Sequence, residues 1–262
     1  MTTTKIRYEA AGGIARITLS DPPANTYSYA MMKEIDAAIL EARMDGSIHV
    51  IVLTGDGDKF FCAGADIKML TEADPEFKYA FCLHANETLN RLEQTPKAVI
   101  AAINGHCVGG GLEVALAADL RVAKRGGGKI GLPEVNLGVL PGTGGTQRLA
   151  RALGRSRAFE LMATGRTFST EEAKDLGLVH ELFDAATFDA DVAAYAAKLL
   201  PPSRASKAVG LIKRAVVSGL ESGFHEGLAL ERELQQRLFE SDDAKEGLAA
   251  YVERRPPNFT GR

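Results

Sequence analysis

Ala98-Val-Ile-Ala-Ala-Ile103-Asn-Gly-His-Cys-Val-Gly109-Gly-Gly-Leu-Glu113-Val-Ala-Leu-Ala-Ala-Asp119 is the one long apolar stretch in the chain, and its reading decides the fold. A membrane span is excluded by Asn104, His106 and Glu113 and by Gly105 and Gly109–Gly111, which would be costly in mid-bilayer. The stretch reads instead as a buried strand to Ile103, a turn at Asn104-Gly105, and a helix that opens at the glycine triplet.

Segments on either side fit the same alternation. Ile14-Ala-Arg-Ile-Thr-Leu19 alternates apolar and polar residues like a half-buried strand. Asp21-Pro22-Pro23 breaks the chain, and Ser28 caps a helix whose apolar residues Met31, Ile35, Ala38 and Ile39 share a face. Val50-Ile-Val-Leu53, closed by Thr54-Gly55, suits a strand buried on both faces. Phe77, Phe81, Leu89 and Leu92 mark another amphipathic helix. Ser169-Thr-Glu-Glu172 is a capping box for a short helix that Gly177 closes. From about Phe188 onward every segment reads as helix, punctuated by Pro201-Pro202 and Gly219. The expectation is an α/β core with parallel pairing over 1–200, followed by a helical region over 201–262.

Composition narrows the function classes. The 262 residues are 45% hydrophobic, enough for a large core, and the net charge is -3. That balance provides no basic face for nucleic acid, and Lys124-Arg125 and Arg254-Arg255 are short enough to be solvated surface. Cys62, Cys82 and Cys107 form no CxxC pair, which argues against a disulfide framework or zinc site and for a reducing, cytoplasmic setting. The five histidines are scattered, so no metal is expected. The N-terminus lacks the apolar segment of a secretory signal.

Three stretches can carry chemistry. In Gly105–Asp119 a strand ends, glycines let a ligand approach the backbone, and the first N–H groups of a helix lack internal partners, which suits phosphate or a developing oxyanion. A packing turn would look similar, but Glu113 is the only charged residue between Lys97 and Asp119, and a buried carboxylate needs compensation. Gly131-Leu-Pro-Glu134-Val-Asn-Leu-Gly-Val-Leu-Pro141-Gly-Thr-Gly-Gly-Thr-Gln-Arg-Leu149 likewise isolates one acid in a glycine-rich run. Two such carboxylates suit general acid–base work if the fold brings them together, which spacing cannot show. The third, Phe60-Phe-Cys-Ala-Gly-Ala-Asp-Ile-Lys68, also reads as a plain turn into a helix. The GxGxxG fingerprint is absent from Pro141–Thr146, and no GxxxxGK[ST] occurs, so a Rossmann dehydrogenase is disfavoured.

Taken together, Phe61–Asp66, Asn104-Gly105 with Gly109–Glu113, Pro133-Glu134 and Pro141–Leu149 resemble the crotonase (enoyl-CoA hydratase/isomerase) superfamily, from about Ile6 to Phe259. The resemblance implies a spiral of ββα turns with a helical C-terminal trimerisation region. It implies an acyl-CoA thioester substrate, contacted by Ala63, Ala65, Asp66, Ile67, Lys68 and Gly110. The N–H groups of Ala65 and Gly110 would hold the thioester oxygen, Glu113 would be the base and Glu134 the acid. The joint presence of both carboxylates points to hydration of a 2-enoyl-CoA, as in fatty-acid degradation, with no cofactor and no nucleic-acid or membrane partner. A homotrimer or a hexamer of paired trimers is implied. The rival readings are a double-bond isomerase on the same fold and a non-catalytic RNA-binding relative. Two departures stand out. Asn25-Thr-Tyr27 replaces the common Asn-Ala-Leu, so Tyr27 is expected to alter the pocket, and Gly126–Gly128 is expected to make a flexible link before Glu134.

Overall fold

The computed structural model describes residues 4–262. Its strands are β1 (Ile6–Ala11), β2 (Ile14–Leu19), β3 (Val50–Gly55), β4 (Phe60–Cys62), β5 (Ala98–Ile103), β6 (His106–Val108), β7 (Leu120–Lys124), β8 (Lys129–Gly131), β9 (Phe168–Ser169) and β10 (Glu181–Phe183). Its helices are α1 (Tyr29–Met44), α2 (Ile67–Glu72), α3 (Pro75–Glu93), α4 (Gly110–Leu116), α5 (Gly145–Leu153), α6 (Arg155–Thr164), α7 (Thr170–Asp175), α8 (Phe188–Ala197), α9 (Ser206–Leu220), α10 (Phe224–Phe239) and α11 (Asp242–Glu253). A 3-10 turn spans Glu134–Leu137.

Three successive strand pairs, β3–β4, β5–β6 and β7–β8, are each followed by helix. The first strand of each pair joins a sheet of order β1-β2-β3-β5-β7-β10, and the second joins a smaller sheet of order β4-β6-β8-β9. Pairing is parallel except between β1 and β2 and between β8 and β9. This is a spiral of ββα turns, as the resemblance implied. Asn104 locks one turn of the spiral to the previous one. Its buried amide donates to the carbonyls of Gly55 and Gly57 and accepts from Gly55 N–H, at 2.7–3.0 Å. Asn25 ties down the same β3–β4 corner from the other side of the sequence, donating to Asp56 O and Phe60 O.

The larger sheet is covered on both faces, which explains its continuous apolar runs. Ile51, Leu53, Val99, Ala101 and Ile103 face the main core with α1, α3 and α4. Val50, Val52, Ile100 and Val122 face Phe188, Val192 and Ala196 of α8. Ser28 caps α1 by accepting from Met31 N–H. Ser169 caps α7 through Glu172 N–H, but the Glu172 carboxylate pairs with Arg166 and does not reach back, so only half of the capping box forms.

Gly219 marks a break in the helical region, since α9 ends one residue later at Leu220; its Cα also sits opposite Gly227, so the two glycines let α9 and α10 approach closely. One expectation needs correction: the triplet Gly126–Gly128 is no loose link. It is a tight β7–β8 turn, tied by Gly126 N–H donating to Glu171, with Gly128 pressed against the His106 ring. Among the described residues no helix is long and apolar enough to cross a membrane.

Lys213 anchors α9 to the core. Its ammonium lies 2.8 Å from the Asp119 carboxylate and donates to Leu92 O and Lys97 O. Burial pushes the Asp119 carboxyl up and the Lys213 ammonium down, each opposed by its partner. Removing one member strands the other charge. Lys213→Met should therefore lower the unfolding free energy by about 3 kcal/mol in a denaturant titration, and adding Asp119→Asn should recover most of that loss.

Candidate active site

The small sheet assembles the site. β4, β6 and β8 run parallel, so the residues that follow their C-terminal ends emerge on one edge. Ala63–Asp66 follows β4, Gly109–Glu113 follows β6, and Pro133-Glu134 follows β8. Three motifs distant in sequence thus become neighbours at the carboxyl ends of parallel strands, where open α/β sheets place ligands.

Backbone shape at the first two segments depends on two glycines. Gly64 has φ +98° and Gly109 has φ +56°, both in the region that disfavours other residues. A methyl group on Gly64 would come within 3.1 Å of Gly110 N, so the two chains are in van der Waals contact. Ala65 forms a parallel bridge with Tyr27, in which Tyr27 N–H donates to Gly64 O and Asp66 N–H to Tyr27 O. The Ala65 N–H takes no part in that bridge, and Gly110 opens α4, so neither N–H donates to a backbone carbonyl among the described residues. They are the two N–H groups to which the resemblance assigns the thioester oxygen. Gly110 has no room for a side chain because Tyr27 lies against it, and Gly111 has none because Cys62 O does.

The remaining predicted contact residues lie along the same edge with different roles. Asp66 turns its carboxylate back to cap α2, accepting from Lys68 and Met69 N–H. It shapes the loop through Oδ1. Ile67 and Lys68 are exposed on the first turn of α2, and Ala63 is half-buried, held by its N–H to Ala24 O.

Glu113 is buried, with 2% of its surface exposed, one turn into α4. Its Oε1 accepts from Thr143 N–H at 2.8 Å and Gly145 N–H at 2.7 Å, and its Oε2 accepts from the Thr143 hydroxyl. These three donors supply what an ion in an apolar site needs. Thr143 is the partner that sequence reasoning missed. Its only signal was one hydroxyl inside the glycine-rich run Pro141–Leu149.

Glu134 stands at the start of the 3-10 turn, and its Oε1 comes within 3.2 Å of where a Gly109 Cβ would be. It therefore faces the same glycine turn that presents Gly110. Its Oε2 is buried without a hydrogen-bond partner. Burial, and to a lesser degree the charge of Glu113, push its carboxyl up to about 7, offset in part by a hydrogen bond from its own N–H.

A spiral of ββα turns that gathers two unpaired backbone N–H groups and two unlike carboxylates on one strand edge is an architecture of the crotonase class. The family model described as enoyl-CoA hydratase/isomerase matches residues 9–262. A probable enoyl-CoA hydratase of Bacillus subtilis is 38% identical over 250 residues, 95% of each chain. The short-chain-enoyl-CoA hydratase of Clostridium acetobutylicum is 35% identical over 97% of each. A Geobacillus kaustophilus enoyl-CoA hydratase structure superposes with a TM-score of 0.96 at 46% identity, covering 100% of this chain and 98% of that one. The chain belongs to the enoyl-CoA hydratase/isomerase family, and it is an enzyme of that family.

The raised Glu134 carboxyl has a consequence for stability. The folded state favours the protonated acid, so its contribution is intact below pH 4.5 and is lost as pH rises toward about 7. Glu134→Gln removes the titration. The variant's melting temperature should gain on the wild type between those pH values and hold a constant lead above them, as differential scanning fluorimetry across pH would show.

Proposed function

We propose that the enzyme hydrates 2-enoyl-CoA thioesters to 3-hydroxyacyl-CoA. The observation that carries this reading is the pair of carboxylates with opposite surroundings, Glu113 held by three donors and Glu134 pushed up to about 7, beside the same glycine turn. Hydration needs one group that accepts a proton and one that delivers one.

In the proposed reaction the thioester oxygen sits on the N–H groups of Ala65 and Gly110. Water attacks the β-carbon while Glu113 Oε2, which has a lone pair left beside the Thr143 bond, takes its proton. The C=C electrons move toward the thioester, and the resulting enolate oxygen is stabilised by the two N–H donors. Loss of one such donor typically costs about 100- to 1000-fold in rate. Glu134 then protonates the α-carbon, and transfer of a proton from Glu113 to Glu134 restores both groups. The product gains one water and nothing else. The thioester is the electron sink, so the reading calls for no metal or redox cofactor.

We assign the activity to acyl-CoA degradation in the cytoplasm, with the free thiols of Cys62, Cys82 and Cys107 suited to a reducing setting. The assembly is assigned as a trimer or hexamer on the C-terminal helices. Among their apolar side chains only Leu234 and Ala250 are buried, whereas Ile212, Val216, Leu220, Phe224, Phe239 and Tyr251 are each at least half exposed. So much uncovered apolar surface favours closed association of identical chains.

Purified protein should convert crotonyl-CoA or a longer 2-enoyl-CoA to the 3-hydroxy product in the presence of a chelator, with oxygen-18 incorporated from labelled water. Movement of the double bond without oxygen uptake would instead identify the isomerase. Glu113→Gln and Glu134→Gln should each lower kcat by orders of magnitude, with the double variant losing far less than the product of the two. Light scattering should report a trimer or hexamer; a monodisperse monomer would remove that assembly.

A further inference from the structure

Tyr27 links three parts of the site. Its backbone forms the bridge that sets Ala65, its ring lies against Gly110 and packs 6.0 Å from Phe81, and its hydroxyl lies 3.1 Å from Thr143 Oγ1. The direction of that last bond follows from the proton count. A threonine hydroxyl has one proton. Thr143 commits it to Glu113 Oε2. Tyr27 must therefore donate, and Thr143 accepts. Burial pushes the Tyr27 hydroxyl well up, with the Glu113 charge adding to the effect, so the donor keeps its proton at any working pH.

We infer that Tyr27 is a positioning residue: its hydroxyl fixes the rotamer of Thr143 so that the threonine proton stays on Glu113 Oε2, the oxygen that faces the attacking water. The inference rests on the hydratase reading and deepens it. Without the Tyr27 hydroxyl, Thr143 can turn its proton elsewhere, and the Glu113 carboxylate loses its only bond on Oε2. Its Oε1 would remain held by Thr143 and Gly145 N–H, so the base would stay in place but swing about that anchor. Such a change acts on the chemical step and not on substrate binding.

A wall of the acyl pocket is the competing role for a buried tyrosine here, and kinetics separates the two. Full-length wild type, Y27F, T143V, T143S and Y27F/T143V are compared in steady-state hydration, using the enoyl-CoA that wild type turns over fastest among crotonyl-CoA and its longer homologues. Thermal melts establish that each is folded. Y27F keeps the ring and its packing, so kcat should fall about tenfold, the worth of one hydrogen bond, with KM unchanged within about twofold. T143V, which removes a bond to a charged group, should lose about 10- to 100-fold in kcat, and T143S should recover most of that loss. Because Tyr27 acts through Thr143, the double variant should be no slower than T143V alone.

A Y27F enzyme with wild-type kcat, a change confined to KM, or a double variant that loses the full product of the single losses would each overturn the inference. If wild type hydrates no enoyl thioester, the hydratase reading falls and takes this one with it. An active wild type with an indifferent Y27F removes the tyrosine alone.

Discussion

A carboxylate buried in an apolar helix governs how the rest of the site is built. Glu113 lies among Leu112, Val114, Ala115 and Leu116, all buried. Leaving its charge unpaired there would cost several kcal/mol, comparable with a large part of a domain's net stability. Its donors come from thirty residues away, on the loop that opens α5. That loop must therefore dock on α4, and Gly145 meets the need because a side chain there would press on Leu132, Pro141 and the Glu113 side chain itself. Satisfying the ion thus fixes the path from Pro141 to Gly145, and with it the return of the chain after Glu134.

The spiral makes such long-range satisfaction routine. Each turn contributes one strand to each sheet, so corresponding loops of successive turns stack along one edge whatever their length. The first repeat reaches the second after 48 residues, as in Val50 opposite Ala98, and the second reaches the third after only 20, as in Ile100 opposite Leu120. Insertions between turns, such as α2 and α3, are absorbed outside the sheets. The buried amides of Asn25 and Asn104 hold the corners in register, each satisfying backbone groups that a sharp turn would otherwise leave unpaired.

The local parts of this arrangement were legible in the sequence because their causes are local. Strands at 14–19, 50–55 and 98–103 and the caps at Ser28 and Ser169 declare themselves by periodicity and hydroxyl placement. Glu113 and Glu134 were visible as lone acids in uncharged runs. Their convergence was not, because parallel pairing joins residues far apart without a hairpin to mark them, and only resemblance to a family supplied it. Roles decided by side-chain direction were also hidden. Asp66, to which the resemblance gives a substrate contact, also caps α2 through Oδ1, and Gly219, one residue before the end of α9, also serves a close helix crossing. Thr143 and the direction of the Tyr27 bond depend on proton bookkeeping across three segments, which no linear pattern records.

The same fold treats its two acids in opposite ways. Glu113 receives three donors from a rigid loop and helix start, a geometry complementary to a carboxylate. Glu134 sits at the head of a single 3-10 turn, its Oε2 sealed from solvent with no donor, so burial weighs against its charge. The difference is one of backbone N–H placement: the chain turns its amides toward Glu113, and it leaves Glu134 Oε2 without a donor, where burial outweighs the hydrogen bond from the residue's own N–H.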